Sequence, residues 1–334
     1  MQTNTNKQVV LVSRPSGWVT ADNFKLINAP MPVLKDGQVL IRNQWLSLDP
    51  YMRGRISDAK SYAQSVNVGE LMVGGAVGKV IESSWPQFKV GDSVLAATGW
   101  QLYAAMNAEQ VLKIDTTQVR ASAYLGILGM PGITAWRGLM EICEPKAGET
   151  VVVDAASGAV GSVVGQLAKN LGCRVVGIAG GPDKCRYVVE ELGFDACVDH
   201  LSENFENELK AQLPSGIDCL FENVGGPIFE LLLSLMNPFS RIALCGMVSE
   251  FNQPAHAYKT IRSILINRIK IQGFIVSDKL ESWPAIRSNL HDLVVSGKLK
   301  FRESVAEGLE SAPDAFVGML KGKNFGKQLV KLSD

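Results

Sequence analysis

Two kinds of hydrophobic patterning follow one another along the chain, with the change near residue 125. In residues 8–125, short apolar segments are separated by frequent Gly and Pro, as is typical of strands joined by tight turns. Residues 39–48, 74–81 and 89–96 each predict a strand. We therefore predict a small, barrel-like β domain for this part of the chain.

From Thr150 onward, the pattern predicts alternating strands and helices. Residues 150–155 are apolar on both faces, as expected for a central strand of a parallel sheet. Further predicted strands are 174–179, 217–222, 241–245, 269–276 and 327–330, and the predicted helices are 160–171, 183–192 and 283–296. This alternation predicts an α/β fold with a parallel sheet covered by helices.

Length and charge narrow the class of protein. The 334 residues suit two domains. Lys and Arg total 33, as do Asp and Glu, so nothing favours nucleic acid or an anionic membrane as a partner. No apolar run reaches the roughly 18 residues that a membrane span needs. Residues 1–7 are polar and lead into no signal-peptide core, so we expect a cytoplasmic protein.

Metal-binding side chains are unevenly distributed. Residues 1–142 contain neither Cys nor His, the side chains from which zinc sites are built. None of the six cysteines forms a C-x-x-C motif, and most lie in apolar surroundings, so we expect buried free thiols. We therefore expect no metal and exclude zinc-dependent oxidation of alcohols.

A glycine-containing loop follows the predicted strand 150–155 and leads into a predicted helix. The loop consists of Ala156, Ser157, Gly158, Ala159, Val160 and Gly161, and matches G-x-G-x-x-G except at Ala156. Such glycines allow a sharp turn and close approach of the backbone to a pyrophosphate, which the amino end of the helix attracts. A purely structural turn is the alternative, but the strand–turn–helix context favours dinucleotide binding.

The end of the second predicted strand indicates which dinucleotide binds. NAD-specific folds place an acidic residue there to bind the ribose 2′-hydroxyl, whereas this strand ends in Gly180 and Gly181. Lys184 follows, and a cation there can pair with a 2′-phosphate. The alternative for Lys184 is a solvated helix lysine. We predict NADPH as the cofactor.

Further motifs extend over nearly the whole chain. They are residues 48–54 (LDPYMRG), 128–135 (LGMPGITA), 155–161 (AASGAVG), 222–226 (ENVGG), 245–249 (CGMVS), 272–276 (QGFIV) and 322–327 (GKNFGK). In these motifs the chain resembles the zinc-free medium-chain reductases of the leukotriene B4 dehydrogenase and prostaglandin reductase group, in particular the bacterial curcumin reductase branch.

The resemblance implies an architecture and a set of site residues. Residues 1–125 should form a GroES-like catalytic domain completed by residues 277–334, and residues 126–276 a Rossmann NADPH-binding domain, in a homodimer joined by the edges of its Rossmann sheets. Lys184 should contact the 2′-phosphate and Tyr51 should wall the substrate pocket. The residues implied along the ribose and nicotinamide are Met130, Thr134, Asn223, Cys245, Gly246, Phe274, Val276 and Asn324.

Two positions depart from the family pattern. His200 stands where the family often has a tyrosine near the adenine ribose, so it either binds there or is a surface histidine. Phe251 replaces a family tyrosine beside the nicotinamide and the substrate carbonyl, as a natural variant or as a Tyr→Phe replacement. Tyr51, Trp100 and Phe251 form either an aromatic pocket for a phenolic enone such as curcumin or part of the core.

Conjugate reduction suits a site without metal. Hydride adds to the β-carbon of an enone, and the resulting enolate oxygen needs a hydrogen-bond donor. The candidate donors are the nicotinamide ribose 2′-hydroxyl, Tyr51 and a hydroxyl at position 251. We predict an NADPH-dependent reductase of small α,β-unsaturated ketones and aldehydes. The alternatives are a quinone reductase of the ζ-crystallin type and a non-catalytic NADPH-binding protein.

Overall fold

The computed structural model describes residues 5–333. The chain divides into two compact units. The first unit extends to Gly126 and resumes at Glu303, and the second unit is Ile127–Arg302.

The amino-terminal part of the first unit is built from antiparallel strands. Its elements are β1 (Thr5–Leu11), β2 (Phe24–Pro30), β3 (Gln38–Ser47), α1 (Tyr51–Arg55), β4 (Ala76–Ser83), β5 (Ser93–Ala96), β6 (Tyr103–Asn107) and β7 (Leu112–Lys113). The register of β3 against β4 shifts twice. Gly78 lies between these shifts, and a Cβ there would lie 2.2 Å from the Arg42 carbonyl oxygen, so the strands approach this closely only because the residue is glycine.

The second unit contains a parallel sheet with connecting helices. Its elements are α2 (Met130–Arg137), β8 (Thr150–Val153), α3 (Gly161–Asn170), β9 (Arg174–Ala179), α4 (Pro182–Glu190), β10 (Ala196–Asp199), α5 (Phe205–Gln212), β11 (Ile217–Glu222), α6 (Gly226–Ser234), β12 (Met236–Leu244), α7 (Arg262–Asn267), β13 (Lys270–Gly273) and α8 (Trp283–Val295). The strand order is β10-β9-β8-β11-β12-β13, the order of a doubly wound dinucleotide-binding sheet. The predicted α/β class with a Rossmann sheet is confirmed.

The chain then returns to the first unit through β14 (Glu303–Glu307), α9 (Ala312–Leu320) and β15 (Lys327–Lys331). β15 pairs with β14 on one side and with β3 on the other, which gives the order β14-β15-β3-β4-β5-β7, with β6 also paired to β3. The last strand is therefore an interior member of the sheet that the first part of the chain begins.

The return to the first unit comes later than the predicted boundary at residue 277. Residues 277–302 belong to the second unit because they are hydrogen-bonded to it. The Arg287 guanidinium donates to the Leu128 carbonyl at 2.9 Å, and Gln166 exchanges two hydrogen bonds with the main chain of Lys300 at 2.8 and 2.9 Å.

The core of the first unit contains an aromatic cluster. Trp100 is fully buried and stacks on Phe24 with ring centroids 5.5 Å apart, while Phe316 meets both rings edge-on. Trp100 is therefore a core residue and not part of a substrate pocket.

Among residues 5–333, no helix has the length and apolar character needed to cross a membrane.

Candidate functional site

The loop between β8 and α3 has the geometry of a phosphate cradle. The chain turns at Ala155, whose φ is +44°, and Gly158 donates to the Ala155 carbonyl at 2.8 Å. A Cβ at Gly161 would lie 2.5 Å from the Ala155 carbonyl oxygen, so only glycine fits at the start of the helix. Ala159 and Val160 are half-buried at the amino end of α3, the end of a helix that attracts anions.

The Ala156 side chain fits because the neighbouring strand β9 has a glycine, Gly177, opposite it. The Ala156 side chain is buried, and its Cβ lies where a side chain at Gly177 of β9 would be, 2.8 Å from an ideal Cβ there. Ser157 is buried beside it. The loop therefore keeps the required turn although its first motif glycine is absent.

The two residues that follow β9, Gly180 and Gly181, carry no carboxylate of their own. The His200 ring lies against Gly180, since a Cβ at Gly180 would be 2.8 Å from His200 Nε2. The main-chain N–H of His200 donates to the Ala179 carbonyl at 3.0 Å. Lys184 lies in the first turn of α4, half-buried, and burial lowers its pKa. The structure thus brings Gly180, Lys184 and His200 into one region at the carboxyl end of β9.

Asp199 at the end of β10 is an acid that the sequence did not single out. Its Oδ1 accepts the N–H of Gly181 at 2.7 Å and that of Leu201 at 2.9 Å. Because this oxygen is engaged with main-chain donors, Asp199 shapes the Gly180–Gly181 turn.

The segment 223–225 is held by two buried acidic side chains, Asp154 after β8 and Glu222 at the end of β11. Asp154 accepts from the main-chain N–H groups of Asn223 and Val224 at 2.7 and 3.1 Å, and from the Asn223 amide at 3.1 Å. Glu222 Oε1 accepts from Val224 and Gly225 at 2.8 and 2.6 Å. Neither acid was predicted as a site residue.

The two carboxyl groups also meet each other. Glu222 Oε2 is buried, and no donor among residues 5–333 reaches it, while its carboxyl lies within hydrogen-bonding range of Asp154. Burial and the charge of Asp154 raise the pKa of Glu222 well above its ordinary range. Burial also raises the pKa of Asp154, which the N–H donors oppose. The raised pKa of Glu222 favours its protonated form beside Asp154.

Cys245 and Gly246 follow β12 and lie beside the main chain of Glu222. Both main-chain N–H groups donate to the Glu222 carbonyl, at 2.9 and 3.1 Å. Burial, helped by the charge of Asp154, raises the pKa of Cys245 to about 12. Cys245 is therefore a neutral thiol and not a nucleophile at neutral pH.

Phe251 lies on a short turn that is tied to the Asn223 segment. Val248 donates to the Asn223 carbonyl at 3.2 Å, and Phe251 donates to that of Val248 at 3.2 Å. The Tyr258 hydroxyl donates to Glu250 at 2.8 Å and accepts the Gly226 N–H at 2.9 Å. Phe251 is half-buried, so its ring is not enclosed in the core.

A second group of predicted residues includes Met130, Thr134 and Val276. Arg137, which was not predicted as a site residue, connects α2 to Val276. Met130 and Thr134 lie on α2, where the Thr134 hydroxyl donates to the Met130 carbonyl at 2.8 Å. From the same helix, buried Arg137 donates to the carbonyls of Ile275 and Val276 at 3.2 and 2.9 Å. Phe274 packs edge-on against buried Phe221 with centroids 6.3 Å apart.

In the first unit, Tyr51 begins α1 directly after a buried ion pair. Lys327 of β15 donates to Asp49 and to the Leu48 carbonyl, both at 2.6 Å, and the Ser47 hydroxyl donates to the other Asp49 oxygen. Burial and the charge of Asp49 raise the Tyr51 pKa, so its hydroxyl stays protonated at neutral pH. Asn324 caps its own turn by donating to the Gly326 carbonyl at 2.8 Å.

Long-range pairing explains why these supports were missed. Asp49 and Lys327 are 278 residues apart, and Arg137 and Ile275 are 138 apart. The available signal was the presence of Asp49 and Lys327 in two family motifs.

Within residues 5–333, no group of three or more His, Cys, Asp and Glu side chains could hold a metal ion.

Comparison with known proteins gives matches over both units. Residues 7–114 match the family described as the N-terminal domain of oxidoreductase, and residues 159–292 match the family described as zinc-binding dehydrogenase.

Three relatives match over nearly their full length. The chain is 44% identical to the NADPH-dependent curcumin reductase of Escherichia coli strain K12, covering 99% of this chain and 98% of the relative. It is 41% identical to the NADP(+)-dependent 2-alkenal reductase of Nicotiana tabacum, covering 98% of each. The crystal structure of CurA in complex with NADPH from Vibrio vulnificus superposes with a TM-score of 0.94 at 46% identity, covering 98% of this chain and 99% of that one.

Proposed function

Because this chain belongs to the zinc-free medium-chain reductases of the prostaglandin reductase group, we propose that it reduces the carbon–carbon double bond of α,β-unsaturated ketones and aldehydes with NADPH. The observation that carries this conclusion is identity above 40% over almost the full chain to an NADPH-dependent curcumin reductase and a 2-alkenal reductase. Curcumin-like enones are the first substrates to test.

The residues of the second unit fit NADPH. The backbone at Gly158 and Gly161 leaves room that a Cβ would fill, and the amino end of α3 suits a pyrophosphate. Gly180 carries no acid that would repel a 2′-phosphate, and Lys184 supplies a cation nearby. Bound NADPH supplies the hydride. We assign Asn223, Gly246, Cys245, Phe274, Val276, Met130 and Thr134 of this unit to its ribose and nicotinamide.

Tyr51 is our candidate hydrogen-bond donor to the substrate oxygen. Its raised pKa keeps the phenol protonated, so it can donate to a developing enolate without losing its own proton. The Asp49–Lys327 pair fixes the start of α1, and this orients the residue. The α-carbon then takes a proton from solvent or from a side chain. Phe251 lacks the hydroxyl that would share this task.

The first experiment follows NADPH oxidation with a panel of enones, enals and quinones. Turnover with enones and enals, with the product saturated at the former double bond, supports the proposal. Tight NADPH binding with no turnover of any enone contradicts it, as does a preference for quinones that leaves enones unreduced.

The cofactor assignment is tested by Lys184→Ala with Lys210→Ala as a matched control. Lys210 is an exposed helix lysine paired with Glu206. Loss of a charged hydrogen bond raises the KM for NADPH by about 10- to 150-fold. The KM for NADH should remain nearly unchanged in both variants. An equal rise for NADH and NADPH would exclude contact with the 2′-phosphate.

Position 251 is tested by Phe251→Tyr with the exposed Phe239→Tyr as a matched control. Restoring the hydroxyl should raise enone turnover at least about tenfold with little change in NADPH affinity, because a lost donor of this kind commonly costs ~10²–10³ in rate. Equal turnover of Phe251→Tyr and the parent would make residue 251 a packing residue and leave Tyr51 as the main candidate donor.

We also propose a cytoplasmic homodimer joined at the edge of the parallel sheet. β13 is one of the two edge strands, and Ile261, Leu265 and Ile266, which precede it in the chain, are 65, 78 and 54% exposed. Apolar side chains grouped at an unpaired edge suit a second copy. Light scattering should give twice the chain mass, and Leu265→Glu should reduce it to one chain. A parent protein with the mass of one chain contradicts the dimer.

A further inference from the structure

Two cysteine side chains meet beside the Gly180–Gly181 turn. Cys185 lies in the first turn of α4 and Cys197 on β10, and their sulfur atoms are 2.8 Å apart. A disulfide bond is about 2.05 Å long, so the sulfurs need to approach by less than about 1 Å. Both residues are half-buried, whereas Cys143, Cys173 and Cys219 are buried.

The two thiols differ in acidity in the way that a reactive pair requires. The hydrogen bond from Cys197 lowers the pKa of Cys185 below its ordinary value, although burial opposes this. The same hydrogen bond and burial raise the pKa of Cys197. Cys185 is therefore the more acidic thiol and the one that attacks an oxidant, and Cys197 is the thiol that resolves the product.

The pair is connected to the segment that we assign to the 2′-phosphate. The Cys185 N–H donates to the Gly181 carbonyl at 3.2 Å, and Lys184 is its neighbour in sequence. Cys197 lies two residues before Asp199, which holds the Gly181 N–H at 2.7 Å. A bond between the sulfurs therefore joins the two elements that hold the Gly180–Gly181 turn.

We propose that Cys185 and Cys197 form a peroxide-reactive dithiol, and that its oxidation to a disulfide lowers affinity for NADPH. The second part rests on the proposed function, because it requires that Gly180–Lys184 bind the 2′-phosphate. Closing the bond draws the first turn of α4 towards β10 and moves Lys184 with it. Oxidation then reports to the cofactor site without involving a residue that contacts the substrate.

The chemistry uses one hydrogen peroxide per pair. The Cys185 thiolate attacks one peroxide oxygen, the O–O bond breaks, and hydroxide leaves, which produces a sulfenic acid. The Cys197 sulfur then attacks the Cys185 sulfur, the S–O bond breaks, and water leaves with the Cys197 proton. Two thiols and one peroxide become one disulfide and two waters, so the dithiol loses two electrons and the peroxide gains them.

The test exposes the reduced full chain to one to ten equivalents of hydrogen peroxide, blocks remaining thiols and maps peptides without reduction. The expected main product links the Cys185 and Cys197 peptides with a loss of two hydrogens, and dithiothreitol reverses it. A main product that links Cys143 to Cys219, or oxidation without any Cys185–Cys197 link, overturns the dithiol.

Variants assign the roles of the two thiols. Cys197→Ser should leave Cys185 as a sulfenic acid that dimedone labels, and Cys185→Ser should abolish both the label and the link. Cys173→Ala, in the same unit, should keep the link. Labelling of Cys197 in Cys185→Ser would reverse the assigned roles and contradict the proposal.

NADPH titrations by fluorescence test the regulatory part. The Kd of the oxidised chain should rise about fivefold or more over that of the reduced chain and return on reduction. Peptide mapping does not depend on NADPH, so a reduced chain that fails to bind NADPH contradicts the proposed function, and with it the regulatory part, but not the dithiol. A quantitative disulfide with an unchanged Kd overturns the regulatory part.

Discussion

Each unit buries an aspartate, and the two units neutralise it in different ways. In the first unit, Asp49 is paired with the buried ammonium of Lys327 at 2.6 Å. In the second unit, Asp154 lies against Glu222, and the two acids retain a proton between them because burial raises the pKa of Glu222. A fixed cation therefore compensates one aspartate and a titratable proton compensates the other.

The two acid-containing pairs also differ in the range of sequence that they connect within their units. The Asp49–Lys327 pair joins β15 to the residue before α1 across 278 positions of sequence, so it connects distant parts of the first unit. The Asp154–Glu222 pair collects main-chain N–H groups from the loop after β11, so it shapes a local segment. The first arrangement depends on a lysine whose pKa is lowered by burial, whereas the second depends on a proton on a carboxyl group whose pKa is raised by burial.

The largest effect is expected from breaking the ion pair. Lys327→Met leaves Asp49 buried without its cation, which should lower the free energy of unfolding by about 3–5 kcal/mol. Lys323→Met removes an exposed lysine of the same segment and should change it by less than about 0.5 kcal/mol. Urea denaturation measures both. Similar small losses in the two variants would mean that the buried pair does not hold the first unit together.

An intermediate effect is expected from Asp154→Asn. Both Asp154 oxygens accept N–H groups, so an amide NH₂ would face donors at one of them. The unsatisfied groups should lower the free energy of unfolding by about 1–3 kcal/mol. The same denaturation experiment measures the loss. An asparagine variant as stable as the parent would show that Asp154, and not Glu222, holds the proton.

The smallest effect is expected from Glu222→Gln at pH 5, close to the ordinary pKa of a glutamate, because glutamine imitates the protonated acid. Glu222 ionises above 4.5 when unfolded but at a higher pH when folded, so the parent loses stability as pH rises above 4.5. The variant lacks this loss. Its advantage should increase with pH, by at most ~1.4 kcal/mol per pH unit.

Unfolding of Glu222→Gln and the parent at pH 5, 7 and 9 tests the sign of this effect. Asp154→Asn serves as the contrasting variant, because it should be less stable than the parent at every pH. A stability difference between Glu222→Gln and the parent that stays constant from pH 5 to 9 would contradict a shared proton.

Strands with an uninterrupted apolar pattern were predicted well. Predicted residues 174–179 and 217–222 coincide with β9 and β11, because each contains a mainly apolar run, 175–179 and 219–221, with clear ends. β12 begins at Met236 and not at 241, since its first residues include Asn237, Pro238 and Phe239, which resemble a turn. The register against β11 shifts there and Phe239 has a φ of +62°, so tertiary pairing overrides the local pattern.

The candidate site was predictable where its chemistry is local. The Ala156–Gly161 loop is contiguous in sequence, so its motif is visible without a structure. The Cys185–Cys197 contact was not predictable from spacing, because the cysteines lie on a helix and a strand that only folding brings together. The Asp154–Glu222 pair has the same origin, since the ends of β8 and β11 meet only in the sheet.

The interior position of β15 sets an order for folding during synthesis. The strand lies between β14 and β3, so the sheet of the first unit lacks a central member until residues 327–331 have been made. The Ile127–Arg302 unit needs no later residues and can fold earlier on the ribosome. The part of the chain that is translated first is therefore completed last, and until then the unpaired edges of β3 and β14 are open to association with other chains.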